Sequence, residues 1–89
     1  MQKKTVVIVN KLGLHARAAA RFVETASAFE SEIEISSGEN TVNGKSIMGL
    51  MMLAAARGSS VELIVRGRDE DKALMALLRL IEDRFGEDI

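Results

Sequence analysis

Four short segments of the chain carry the hydrophobic pattern of β-strands. Thr5–Val9 is β-branched throughout and apolar on both sides, which predicts a first strand with both faces buried. Glu32–Ser36 alternates between polar and apolar residues, so it predicts a strand with one face on the core. A turn at Ser37–Asn40 precedes a short third strand at Thr41–Asn43, and the fourth strand is Val61–Arg66. The residues expected to point inward are Ile33, Ile35, Val61, Leu63 and Val65.

Three other segments repeat their apolar residues with the period of an α-helix. The first runs from Ala16 to about Ser27, and the second, Ile47–Leu53, follows Ser46 as its N-cap. The last begins with the acids Asp69–Asp71 and is expected to end at Gly86. The predicted apolar positions are Ala16, Ala19, Ala20, Val23 and Ala26 in the first helix, and Leu74, Leu77, Leu78, Ile81 and Phe85 in the last.

The resulting order of elements, βαββαβα, predicts an α+β fold. A four-stranded antiparallel sheet with its helices on one face is the simplest two-layer arrangement that buries these apolar stripes. With 89 residues, the chain is expected to be one domain spanning residues 1–89. The order of the strands does not follow from periodicity.

The composition excludes several classes of protein. No apolar run approaches the ~20 residues of a membrane span, and no signal peptide precedes the first strand, so a cytoplasmic protein is expected. Without cysteine, and with one histidine that has no carboxylate close to it in sequence, no metal site is expected. A net charge of −1 with only three aromatic residues argues against nucleic-acid binding.

The single histidine, His15, lies between the glycine turn at Gly13 and the alanine-rich helix that begins at Ala16. The N–H groups in the first turn of a helix lack intrahelical partners, so an anion on His15 would be bound there, next to Arg17. Imidazole is nucleophilic near neutral pH, which favours reversible attachment of a phosphoryl group. The alternative is a surface or capping histidine, although Ser, Thr, Asp or Asn would cap a helix better.

The second helix is apolar on every side except at Gly49, so a two-layer fold cannot bury all of it. If Leu50 and Leu53 face the sheet, the apolar residues that project toward solvent are Ile47, Met48 and Met51. Methionines on a surface suit a docking site that accepts several partners. The alternative is a helix covered by the preceding loop or by self-association.

Ser46 has two interpretations of its own. It is a helix cap and nothing else, or it is also a site of phosphorylation, since the helix dipole would tolerate a phosphate there. In the second case the added charge would impair binding of an acidic partner without unfolding the protein.

Charge is distributed unevenly along the chain. The bases that precede the first acid are Lys3, Lys4, Lys11, Arg17 and Arg21, whereas the last eight residues contain Glu82, Asp83, Glu87 and Asp88. This asymmetry predicts a basic surface around His15 that suits acidic partners.

Two motifs, Gly13–Arg17 and Val42–Leu50, closely resemble those of HPr, the histidine-containing phosphocarrier family of the bacterial phosphoenolpyruvate-dependent phosphotransferase system. The resemblance spans essentially the whole chain. It implies three helices on one side of a sheet ordered 1-4-2-3. It also implies a phosphocarrier, not an enzyme, that is monomeric and needs no cofactor or metal.

For individual residues, the resemblance implies that His15 accepts a phosphoryl group on Nδ1 from phospho-enzyme I and passes it to an enzyme IIA domain, assisted by Arg17. Ser46 matches the serine that HPr kinase/phosphorylase modifies using ATP in many relatives. Partners are expected to share one surface formed by the first helix and the second. Its residues are Ala16, Ala20, Ile47, Met48 and Met51.

One position departs from the family pattern. Many relatives carry proline directly after the motif arginine, where this chain has Ala18. Because proline there only fixes φ in the first helical turn, alanine should preserve the helix. Two alternatives to a sugar phosphocarrier stay open: a paralogue in nitrogen-related phosphotransfer, and a regulatory module that acts through Ser46. The well-formed Ser46 motif favours the carbohydrate branch.

Overall fold

The computed structural model describes residues 1–89 and contains the seven predicted elements in the predicted order. The strands are β1 (Gln2–Val7), β2 (Glu32–Ser37), β3 (Asn40–Asn43) and β4 (Ser60–Arg66). The helices are α1 (Ala16–Ser27), α2 (Ile47–Leu53) and α3 (Glu70–Glu82), and a 3-10 turn follows at Arg84–Gly86.

The four strands form one antiparallel sheet in the order β1-β4-β2-β3. In the central pair, Ile35 of β2 lies opposite Leu63 of β4, and Val6 of the edge strand β1 lies opposite Val61. The helices pack on one face, so the α+β architecture and the strand order implied by the family resemblance are confirmed.

The core lies between the sheet and the helices. As predicted, alternate residues of the two central strands point into it, and α2 contributes Leu50 and Leu53. The buried strand residues are Ile33, Ile35, Val61, Leu63 and Val65. The opposite face of the sheet has no helical layer, and residues such as Thr5 and Glu62 lie on it.

The prediction that β1 is buried on both faces is wrong. The strand ends at Val7, which is 45% exposed, and Val9 beyond it is 40% exposed, whereas Ile8 is fully buried. An unbroken run of β-branched residues is typical of a strand covered on both sides. Here β1 is at the sheet edge and only one face is covered, so its hydrophobic residues partly face solvent.

The predicted buried stripe of α1 is also partly wrong. Ala16 and Ala20 are exposed and Val23 is only partly buried. The residues that α1 buries are Ala18, Ala19, Phe22 and Ala26. Phe22 decides the rotation of the helix, because burying a phenylalanine contributes about 1.5–3 kcal/mol and an alanine much less.

The end of the chain differs from the prediction as well. Helix α3 stops at Glu82, and Phe85 reaches the core through a turn in which Arg84, Phe85 and Gly86 all have positive φ. Gly86 therefore belongs to this turn and does not itself terminate α3. The rest of the predicted apolar stripe of α3 agrees with the structure, since Leu77 and Ile81 are buried and Leu74 and Leu78 are partly buried.

Candidate functional site

His15 is the N-cap residue of α1, with extended backbone angles (φ −79°, ψ 179°), and its side chain makes no capping hydrogen bond. The preceding loop is fixed by Gly13, whose φ is +66°, and by Leu14, whose N–H donates to the carbonyl oxygen of Ala55 at 2.9 Å. The His15 side chain is 29% exposed. The imidazole is thus held at the helix start and accessible from solvent.

The first turn of α1 offers free backbone donors beside His15. The first intrahelical bond runs from the Ala19 N–H to the His15 carbonyl oxygen, so the amides of Ala16, Arg17 and Ala18 have no acceptor within the chain. Unpaired N–H groups at a helix N-terminus attract anions. Ala16 and Arg17 are exposed whereas Ala18 is fully buried, so the unpaired amides that an anion can approach are those of Ala16 and Arg17.

Arg17 lies in the same turn, and its side chain is exposed. Its guanidinium makes no hydrogen bond or ion pair within the chain, which leaves all of its donors available to a bound group. A phosphoryl group suits such a donor set because guanidinium matches its oxygens in charge and geometry.

The imidazole of His15 contacts Glu87, a residue that the sequence did not single out for this site. His15 Nε2 lies 2.5 Å from Glu87 Oε2, and Glu87 Oε1 accepts a hydrogen bond from Asn10 Nδ2 at 2.8 Å. The Glu87 side chain is only 10% exposed. The other ring nitrogen, Nδ1, makes no hydrogen bond within the chain.

Burial alone would raise the pKa of the Glu87 carboxyl. The hydrogen bonds from Asn10 and His15, together with the nearby charge of Arg17, outweigh burial and hold this pKa below its usual value. Glu87 is therefore a carboxylate near neutral pH. The prediction of a basic surface around His15 is wrong at this point, because the acidic end of the chain folds back onto the histidine.

Ser46 is the N-cap of α2, as predicted. Its Oγ accepts a hydrogen bond from the backbone N–H of Gly49 at 3.1 Å, and its side chain is half-buried. This satisfies one of the free donors at the start of α2 and fixes where the helix begins.

Helix α2 presents an apolar patch, which we call the α2 patch, formed by Ile47, Met48, Met51 and Met52. Met48 and Met52 are 76% and 77% exposed, and Met52 was missed by the sequence analysis although it belongs to the same apolar run. Met51 lines a shallow hollow together with His15 and Leu12, so the patch and the histidine adjoin. Ala16 and Ala20, predicted for the same surface, are exposed on α1.

The chain matches known proteins over nearly its whole length. A family model described as the PTS HPr component phosphorylation site matches residues 2–83. The phosphocarrier protein HPr of Neisseria meningitidis serogroup A is 55% identical over 87 residues, which cover 98% of each chain. The chain belongs to the HPr family.

Solved HPr structures agree with this assignment. The crystal structure of HPr-C-His from Thermoanaerobacter tengcongensis superposes with a TM-score of 0.96, at 49% identity and full coverage of both chains. The catabolite repression protein Crh of Bacillus subtilis is less similar, with a TM-score of 0.76 at 42% identity, covering 94% of this chain and 97% of that one.

Family membership establishes the general activity. The chain is a phosphocarrier of the phosphotransferase system: it carries a phosphoryl group and is not itself an enzyme. The family implies enzyme I and enzyme IIA as its partners. None of its helices has the length and apolarity that crossing a bilayer would require.

Proposed function

We propose that this chain carries its phosphoryl group on Nδ1 of His15, receives it from phospho-enzyme I and delivers it to an enzyme IIA domain of a sugar-specific branch. The observation that carries the proposal is the environment of the ring. Nδ1 has no partner in the chain, and it lies at a helix start beside the unpaired amides of the exposed residues Ala16 and Arg17 and a free guanidinium.

The transfer step needs only a nucleophile and positive groups around the phosphate. The lone pair on Nδ1 attacks the phosphorus of the phosphorylated donor, and a nitrogen–phosphorus bond forms. The bond between phosphorus and the donor breaks, with its electron pair staying on the donor. Delivery to enzyme IIA is the same exchange, with the electron pair of the nitrogen–phosphorus bond returning to Nδ1.

A carrier must hold its cargo with intermediate strength. The amides of the first turn and the exposed Arg17 offer solvent-screened stabilisation, which favours both acceptance and release. A deep, dry site would bind the phosphoryl group too tightly to hand it on.

We assign partner docking to the α2 patch and the neighbouring exposed residues Ala16 and Ala20 of α1. Enzyme I and enzyme IIA must use this surface in turn, because each has to approach the same Nδ1. An exposed apolar area beside the reacting atom supports this assignment. Fast release between the two encounters requires a weak, transient interface.

We further propose that Ser46 is a regulatory site for HPr kinase/phosphorylase. A phosphate there would lie at the start of α2, next to Ile47 and Met48, where it would repel an acidic partner and leave the fold intact. We also propose that the carrier acts in the cytoplasm, the source of the phosphoenolpyruvate that charges enzyme I, and that it acts as a monomer, which leaves the α2 patch free for its partners.

The decisive experiment incubates the protein with enzyme I and phosphoenolpyruvate and measures the mass of the product. We expect a mass increase of one phosphoryl group that is lost in acid, since phosphohistidine is acid-labile and phosphoserine is not. His15→Ala should abolish this increase and keep the fold, as judged by circular dichroism. Light scattering on the same samples checks the monomeric state.

Arg17→Ala provides the graded comparison. It should slow both acceptance from enzyme I and delivery to enzyme IIA, by about 10-fold or more, because one charge-assisted contact to the phosphoryl oxygens is lost. Phosphorylation retained in the His15 variant, or acid-stable phosphate in the wild type, would contradict the proposal.

A further inference from the structure

Glu87 reaches His15 from 72 residues away in sequence, and the chain is shaped to bring it there. Arg84, Phe85 and Gly86 have φ of 56°, 55° and 79°, which reverses the chain after α3. The Phe85 side chain is fully buried, and the backbone carbonyl oxygen of Phe85 accepts a hydrogen bond from Arg21 Nη1 at 2.5 Å. The turn that precedes Glu87 is thus anchored both in the core and on α1.

The approach of Arg21 depends on Gly86. A Cβ atom at this position would lie only 2.2 Å from Arg21 Nη1, so any other residue would displace the guanidinium. Left-handed backbone is unfavourable for Arg84 and Phe85, and it persists only where the surroundings impose it. The structure therefore holds the segment before Glu87 in one conformation.

The carboxylate itself is held from two sides. Asn10 is fully buried, and its Nδ2 donates both to Glu87 Oε1 and to the carbonyl oxygen of Gly13, which fixes the orientation of its amide. On its other side, Glu87 Oε2 faces His15 Nε2. A carboxylate accepts hydrogen bonds and cannot donate one, so Nε2 must carry the ring proton.

We propose that Glu87 is a positioning residue for phosphoryl transfer: it holds His15 in the tautomer with hydrogen on Nε2 and leaves the lone pair on Nδ1 free to attack. The inference rests on the proposed role of His15 as acceptor. When the lone pair of Nδ1 enters the new bond to phosphorus, positive charge develops on the ring. The carboxylate on Nε2 offsets that charge, and the proton stays in the hydrogen bond between them.

Replacing Glu87 by glutamine tests the proposal, because Asn10 determines which way the new side-chain amide points. The Asn10 amide remains a donor, so the glutamine would turn its carbonyl oxygen toward Asn10 and its NH₂ toward His15. Since NH₂ only donates, Nε2 would have to become the acceptor and the ring proton would move to Nδ1, where it blocks attack. In Glu87→Ala, water replaces the carboxylate and either tautomer forms.

The experiment compares Glu87→Gln, Glu87→Ala and the control Asp88→Asn, which removes a negative charge from the next, exposed residue. Nitrogen-15 chemical shifts of the His15 ring report the tautomer. The rate of acceptance is measured with enzyme I, and again with phosphoramidate, a small phosphoryl donor that needs no docking surface. Circular dichroism checks that each variant is folded.

We expect hydrogen on Nε2 in the wild type and on Nδ1 in Glu87→Gln. The rate of acceptance should fall on the order of 10- to 100-fold in Glu87→Gln with either donor, which is a larger loss than in Glu87→Ala. The KM of enzyme I for the Glu87→Gln protein should stay close to its KM for the wild type. A merely structural role predicts the opposite order, because glutamine conserves the volume of glutamate and alanine does not.

The proposal is overturned if the ring has the same tautomer in the wild type and in Glu87→Gln, or if Glu87→Gln accepts phosphate as fast as Asp88→Asn. Failure of the underlying assignment gives a different result. In that case, the phosphoryl group is found on a residue other than His15 in the wild type, whatever the tautomer.

Discussion

Gly13 is the residue on which the placement of His15 depends most directly. Its positive φ turns the chain from the sheet to α1, and its Cα packs against the segment after α2. A Cβ at this position would lie 2.4 Å from the carbonyl oxygen of Ala55, which is backbone and cannot move aside easily. The glycine is required both by its dihedral angles and by the lack of space.

Gly13→Ala should therefore lower the free energy of unfolding by about 2–4 kcal/mol, as measured by urea denaturation, since backbone strain and a clash add together. Gly38→Ala is the matched control. Its φ is also positive, at +62°, but nothing lies within 4 Å of the added Cβ, so it should cost only about 1–2 kcal/mol. Equal effects at the two positions would show that the contact with Ala55 is unimportant.

His15 and Arg17 could be predicted from the sequence as parts of the candidate site, and Glu87 could not. His15, Arg17 and the free amides are neighbours in sequence, so the glycine turn and the alanine run were enough to place them together. Glu87 joins them only through the left-handed turn at Arg84 and Phe85, two residues whose identity gives no sign of positive φ. The acidic end of the chain was the only available signal, and it does not specify which acid folds back.

At the level of elements, α2 is the best-predicted segment and β1 the worst. The bounds of α2 follow from Ser46 and from the apolar run that it precedes, both of which are local features. The burial of β1 depends on what covers each face of the sheet, which no local pattern records. The rotation of α1 was misjudged for a similar reason, because Phe22 fits the same helical period as the alanines.

Ser46→Ala should destabilise the protein by about 1 kcal/mol in urea denaturation, since the backbone N–H of Gly49 loses its acceptor. Ser46→Asp is the informative partner to this variant. Aspartate also caps a helix, so stability should stay near wild type while phosphoryl transfer from enzyme I slows. An alanine variant as stable as the wild type would exclude a capping role for Ser46.

At the level of the whole molecule, Asp69 links the sheet layer to the helical layer, at a point far along the chain from His15. Its carboxylate accepts hydrogen bonds from the backbone N–H groups of Glu30 (2.9 Å) and Ser31 (3.0 Å) and from the Ser31 hydroxyl. It thereby joins the α1–β2 connection to the start of α3. The hydrogen bond from the Ser31 side chain, followed by that from the Glu30 backbone, lowers the pKa of Asp69 below its ordinary value of 3.8.

A lowered pKa in the folded state fixes the sign of the pH dependence. The stabilisation is complete above the pKa of the unfolded chain, near 3.8, and is lost as the pH falls through the lower folded value. Asp69→Asn should thus unfold at lower urea concentration than wild type at pH 7, and the difference should shrink below about pH 4. Glu39→Gln, at an exposed turn, should match wild type at both pH values. If the stability difference between Asp69→Asn and wild type were the same at both pH values, ionisation of Asp69 would contribute nothing to stability.

All three helices pack on the same side of the sheet, so the other side is bare where Thr5 lies opposite Glu62. Because the sequence has no cysteine, a thiol introduced at Thr5 would be unique in the chain. A fluorophore attached there would lie away from the proposed docking surface, and its anisotropy would rise on binding of enzyme I or enzyme IIA because the complex tumbles more slowly.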